Sequence, residues 1–162
     1  MQPDLKQIIE IASQSCETIF RESGEILPMW HTINAAGDHG IWAMPMYDKD
    51  AVAEGMRKFF VEKHVVAYVF MTEAWTVINV AGLQHAVDWV NSGKSLKTYP
   101  GRHEVLMFLA EDGDKVFTAQ RKIIRNRGRP KLGPLEWLDE VASRNSIGRF
   151  VGLLPRKAET AH

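Results

Sequence analysis

The sequence predicts an α+β fold, a mainly antiparallel β-sheet with helices packed on it. Three observations predict it. Apolar residues recur at helical spacing near the start of the chain, β-branched and aromatic runs follow at strand length, and most of those runs are joined by hairpin-length turns. The order along the chain reads α-β-β-α-β-(α)-β-β-α-β, with residues 1–154 as one domain and 155–162 as a disordered tail.

Leu5 to Glu22 carries Leu5, Ile8, Ile9, Ala12, Cys16, Ile19 and Phe20 on one helical stripe, and Ser23-Gly24 marks its end. Ile26 to Ile33 reads as a strand, and Pro28 within it points to a sheet edge or a bulge. Residues 34–40 are turn chemistry, after which Ile41 to Met44 returns as a hairpin partner. Asp48 suits the N-cap of a second helix reaching about Lys63, with Val52, Met56, Phe59 and Phe60 facing inward.

Val65 to Val80 is rich in β-branched and aromatic residues and predicts a long strand. A short helix follows Gly82, with Leu83, Val87 and Val90 on one side, and a polar loop runs from Asn91 to His103. The nearly continuous apolar run Glu104 to Glu111 predicts an interior strand, and Asp112-Gly113-Asp114 turns it into its partner, Lys115 to Arg125. Pro134 predicts the first turn of a helix reaching about Ser143, and Ile147 to Leu154 a last strand.

Composition narrows function more by exclusion. Twenty basic residues balance twenty acidic ones, which argues against a surface built wholly to attract nucleic acid or membrane. One cysteine, Cys16, excludes an internal disulfide, and its place on the apolar helical stripe predicts a core thiol. With no membrane-length apolar run and no leader-like start, the expectation is a cytoplasmic protein.

The helix, hairpin, helix, strand order is similar to that of nucleobase deaminases and of JAMM-type metal isopeptidases. A deaminase site needs two thiolates beside its imidazole, and a single cysteine cannot supply them. A JAMM-type site needs closely spaced histidines with a downstream carboxylate, and His31 and His39 stand eight apart across a turn. His85 and Asp88, three apart on a helix, lack a third ligand. Phosphate-binding and nucleophile-elbow motifs are missing too, so neither metal nor cofactor is expected.

One carboxylate stands out. Alternation along Val69, Met71, Glu73, Trp75 and Val77 puts Glu73 on an apolar strand face, where it must be paired or neutral. Arg102 or Arg121 could pair with it, giving either a catalytic acid in a cleft or a structural ion pair. Among five tryptophans, Trp30 and Trp42 could lie near each other across the first hairpin and are candidates for a protein-binding surface.

From Arg121 to Lys131 the chain holds six basic residues and no acidic one. Within it, Arg127-Gly128-Arg129-Pro130-Lys131 resembles the core of an AT-hook, with Arg125 as a flanking cation. That resemblance implies minor-groove contacts from Arg125, Arg127, Arg129 and Lys131. A solvated turn built on Gly128 and Pro130 is the plainer reading of the same residues.

A second likeness rests on Thr72-Glu73-Ala74-Trp75, on Pro100-Gly101-Arg102-His103-Glu104-Val105 and on Ala110-Glu111-Asp112. Over roughly residues 65 to 138 the chain resembles a group of bacterial and phage proteins without an assigned biochemical role, which implies a bacterial or mobile-element origin. The expected function is non-catalytic binding of a protein partner, such as modulation of a host complex. Nucleic-acid binding through 125–131 and an enzyme using Glu73 are the alternatives.

Overall fold

A computed structural model describes residues 3–43, 48–76, 80–125, 128–138 and 152–154, with side chains at 80–83 and 96 excepted. Three helices, α1 (Leu5–Ser23), α2 (Lys49–Glu62) and α3 (Val80–Asn91), accompany six strands. The strands are β1 (Met29–Asn34), β2 (His39–Ala43), β3 (Val65–Thr76), β4 (His103–Glu111), β5 (Val116–Ile124) and β6 (Lys131–Trp137). They form one antiparallel sheet in the order β2-β1-β3-β4-β5-β6, which establishes the α+β class.

Both long helices begin on an aspartate, as their sequences require. Asp4 and Asp48 each accept backbone N–H groups of the first turn, and Gly24, at φ 76°, closes α1 in the left-handed conformation. The stripe Leu5, Ile8, Ile9, Ala12, Cys16 and Phe20 is buried on one sheet face against Val69, Met71, Leu106, Phe108, Ala110 and Ala119. On the other face Ala53, Met56 and Phe60 of α2 pack with Trp30, Tyr68 and Phe70, joined by Leu153 and Leu154. The sheet is thus sandwiched between two cores, and alternation along each strand assigns its residues to one or the other.

Two expectations change. Pro28 does not mark a sheet edge: it precedes β1, an interior strand between β2 and β3, so its missing N–H is absent from no ladder position. Where a helix was expected from Pro134, residues 134–137 belong instead to strand β6, and 139–143 lie outside the described residues. Leu132 and Leu135 pack against the α1-side core at positions opposite Ile123 and Arg121 of β5, so tertiary pairing outweighs the helix-start signal. Among the described residues β6 is an edge, where proline is tolerated.

Of the expected strand to Val80, β3 covers Val65–Thr76, residues 77–79 lie outside the described residues, and Val80 itself opens α3. Of the expected last strand, only 152–154 are described, and they are not strand; the rest of it and the 155–162 tail lie outside the described residues.

Candidate functional site

The first hairpin turns on residues 34–38. Asn34 donates its N–H to the Asp38 carbonyl at 3.0 Å and accepts the Gly37 N–H at 3.0 Å, while Gly37 takes φ 89°. This is a three-residue hairpin loop closed by a left-handed glycine. The Asn34 side-chain oxygen also accepts from Ala36 and Asp38, and Ala35 donates to the His64 carbonyl at 2.8 Å, tying the loop to the turn after α2.

Because Asn34 and Asp38 are a hydrogen-bonded pair, the pairs that follow alternate. Thr32–Gly40 and Trp30–Trp42 exchange ladder bonds, and the peptide groups of His39, Ile41 and Ala43 point to the outer edge. Among the described residues no strand lies beyond β2. Ile41 is 55% and Trp42 39% exposed, on opposite faces of that edge. The Trp42 indole is fixed: its N–H donates to Thr32 Oγ1 at 3.0 Å and its ring meets Phe59 edge-on at 4.8 Å. Trp30, directly opposite, is fully buried beside Phe70, so of the two tryptophans only Trp42 reaches the surface.

The two ends of this sheet are built differently. β6 carries Lys131, Pro134 and Glu136, the residue types that discourage another strand from adding. β2, His39-Gly40-Ile41-Trp42-Ala43, has no Lys, Arg, Asp, Glu or Pro. Among the described residues nothing covers its outer side.

On the α1 side of the hairpin, His31 and His39 meet. Their Nε2 and Nδ1 atoms are 2.7 Å apart, with His31 only 4% exposed and His39 exposed. Burial, and then the neighbouring His39, lower the pKa of His31 below the ordinary imidazole value. Spacing along the sequence gives no hint of this pair. It arises because Ile33 faces His39 and His31 faces Ile41, so the two imidazoles are diagonal neighbours on one face.

Glu73, the carboxylate singled out above, is partly buried and accepts the Ile26 N–H at 2.8 Å. Neither proposed arginine is its partner. Arg102 lies over the Trp75 ring at 4.9 Å and donates to the Tyr99 carbonyl, while Arg121 turns to α1. There Arg121 reaches Glu17 at 2.6 Å, a contact close in distance but off the hydrogen-bond line, and donates to Gly133 and Ser13. Nearby Cys16 is fully buried, and burial pushes its thiol up to about 12, opposed by the Arg121 charge.

Another buried carboxylate escaped the sequence reading. Glu111 Oε2 accepts from the Tyr68 hydroxyl and, at 2.8 Å, from the Gly152 N–H. Burial foremost, then the Glu111 charge and hydrogen bond, raise the Tyr68 pKa far above its ordinary range, while a backbone bond from Leu153 opposes this. The phenol is therefore a fixed donor that fastens residues 152–154 onto the α2-side core.

The basic segment is divided as strand alternation requires. Arg121 faces α1, whereas Lys122, on the opposite face, lies 3.9 Å from Glu136. Arg125 forms a double hydrogen bond to Glu104 at 2.6 and 2.7 Å, which raises its pKa. Arg129 donates to the Arg21 carbonyl at the end of α1, and with Pro130 it lines a cleft there beside Phe20 and Gly24. Lys131 is exposed, and Arg127 lies outside the described residues.

Comparison with protein families, curated proteins and solved structures finds no significant match for this chain. No described helix is long and apolar enough to cross a membrane.

Proposed function

We propose that this chain is a non-catalytic binding domain that takes an extended segment of a protein partner alongside β2. The contrast between the two sheet edges carries the reading: β6 bears lysine, proline and glutamate, and β2 bears none of the charged residues or proline that keep an edge unpaired. An added strand would hydrogen-bond to the outward peptide groups of His39, Ile41 and Ala43. Its alternate side chains would lie beside Ile41 on one face and beside Trp42 and Phe59 on the other, favouring a segment with apolar or aromatic residues on both. The balanced net charge agrees with a protein partner, since association does not depend on attraction to a polyanion.

The alternatives have less behind them. In the basic loop the exposed Arg125 is already paired with Glu104 and the exposed Arg129 with a carbonyl near the end of α1, so a phosphate backbone would have to compete for both. An enzyme built on Glu73 would lack the arginine partner that motivated it, since that carboxylate holds a backbone N–H.

The test is selection of peptides from a random library on the wild-type chain, followed by amide exchange. Bound peptides are expected to protect the His39, Ile41 and Ala43 amides and to lose about tenfold or more in affinity, about 1.4 kcal/mol, on Ile41→Lys. Peptides that bind Ile41→Lys equally well and leave those amides exchanging would refute the proposal.

A further inference from the structure

We infer that His31 and His39 form a two-donor site for a divalent transition ion of the zinc, nickel or copper class. The facing Nε2 and Nδ1 atoms are 2.7 Å apart, and the rings meet at 64° with centroids 5.0 Å apart. The centroid distance is about the gap plus the two ring radii, so the nitrogens point at each other along one line and share a hydrogen bond. In the apo state a single proton fills the gap, whichever ring carries it. An ion of imidazole preference takes the place of that proton.

With metal–nitrogen bonds of about 2.0–2.1 Å, two nitrogens at a tetrahedral ion stand roughly 3.3 Å apart, so the pair must open by about 0.6 Å and the rings must swing off their common line. His39 is exposed at the start of β2 and supplies that movement, while His31 is held on an interior strand. Burial lowers the His31 pKa, which favours the neutral form that binds metal.

The rest of the surroundings sets the strength and character of the site. No group of three or more His, Cys, Asp or Glu among the described residues could hold an ion, so two protein donors leave the other positions open to water or an incoming ligand. His31 Nδ1 is buried with no hydrogen-bond partner, so the carbonyl or carboxylate that usually reinforces a metal-bound imidazole is missing. Binding is accordingly modest and exchangeable.

Zinc chloride titrated into the full chain near neutral pH, followed by calorimetry and by histidine nitrogen resonances, tests the site. The expected result is saturable one-to-one binding with the His31 and His39 signals moving together. His39→Ala removes an exposed side chain, leaves the far-ultraviolet circular dichroism unchanged, and weakens binding about tenfold or more. His85→Ala leaves it as in wild type. Absence of saturable binding, or a His39→Ala chain that titrates like wild type, overturns the assignment.

Discussion

Replacing Tyr68 by phenylalanine keeps the ring in the α2-side core and removes only the hydroxyl. Two groups lose that oxygen: Glu111, a buried carboxylate that accepts from it, and Leu153, whose backbone hydrogen-bonds to it. A hydrogen bond to a charged group contributes about 1.5–3 kcal/mol, and an orphaned buried N–H costs about 1–3 kcal/mol. The expected loss is about 4 kcal/mol, which in a chain of this size lowers the melting temperature by about 8–16 °C.

The same hydroxyl also dictates an alkaline signature. Its folded pKa is raised, so above its ordinary value near 10 the native state holds a proton that the unfolded chain releases. Its contribution is whole below pH 10 and is lost as pH rises, at up to about 1.4 kcal/mol per pH unit. Urea unfolding of wild type and Tyr68→Phe from pH 7 to 11 separates this from other titrating groups, because only the wild type carries the Tyr68 slope. A loss under about 1 kcal/mol at pH 7, with the two curves parallel above pH 10, would refute the account of this bond.

Arg121→Ala removes the cation beside the partly exposed Glu17 and the donors to Gly133 and Ser13, so a loss of about 1–3 kcal/mol in chemical denaturation is expected. His31 has a lowered folded pKa, so its contribution is intact above the ordinary value near 6.5 and is lost as pH falls below it toward the folded value. Stability profiles from pH 8 to 5 should therefore bend downward near 6.5 in wild type and bend less in His31→Gln.

Much of the architecture is local and could be read from the sequence. Asp48 starts α2 because its side chain accepts first-turn N–H groups, Ser23-Gly24 ends α1, and Asp112 turns the β4–β5 hairpin by accepting the Asp114 and Lys115 N–H groups. Helical periodicity placed Cys16 in the core for the same reason. From Pro134 to Trp137 the sequence is ambiguous, because Pro134 suits a helix start and an edge strand equally, and only pairing with β5 decides between them.

The candidate sites were less legible. The sequence could bring Trp30 and Trp42 near each other across a turn, but not fix their register or the burial of one and the exposure of the other, which follow from α2 packing over Trp30 while Trp42 stands on the outer strand. Glu73 and its supposed arginines stand on different elements, and tertiary packing sent Arg121 to Glu17 instead.

By itself the sequence determined the helix faces, the turns and the α+β class, because these depend on neighbours within a few residues and on the periods of helix and strand. The tertiary structure decided which strand lies outermost, that His31 touches His39, and that Tyr68 holds Glu111 and residues 152–154. Those contacts depend on strand order and register, and the free energy that selects them comes from burial between distant parts of the chain.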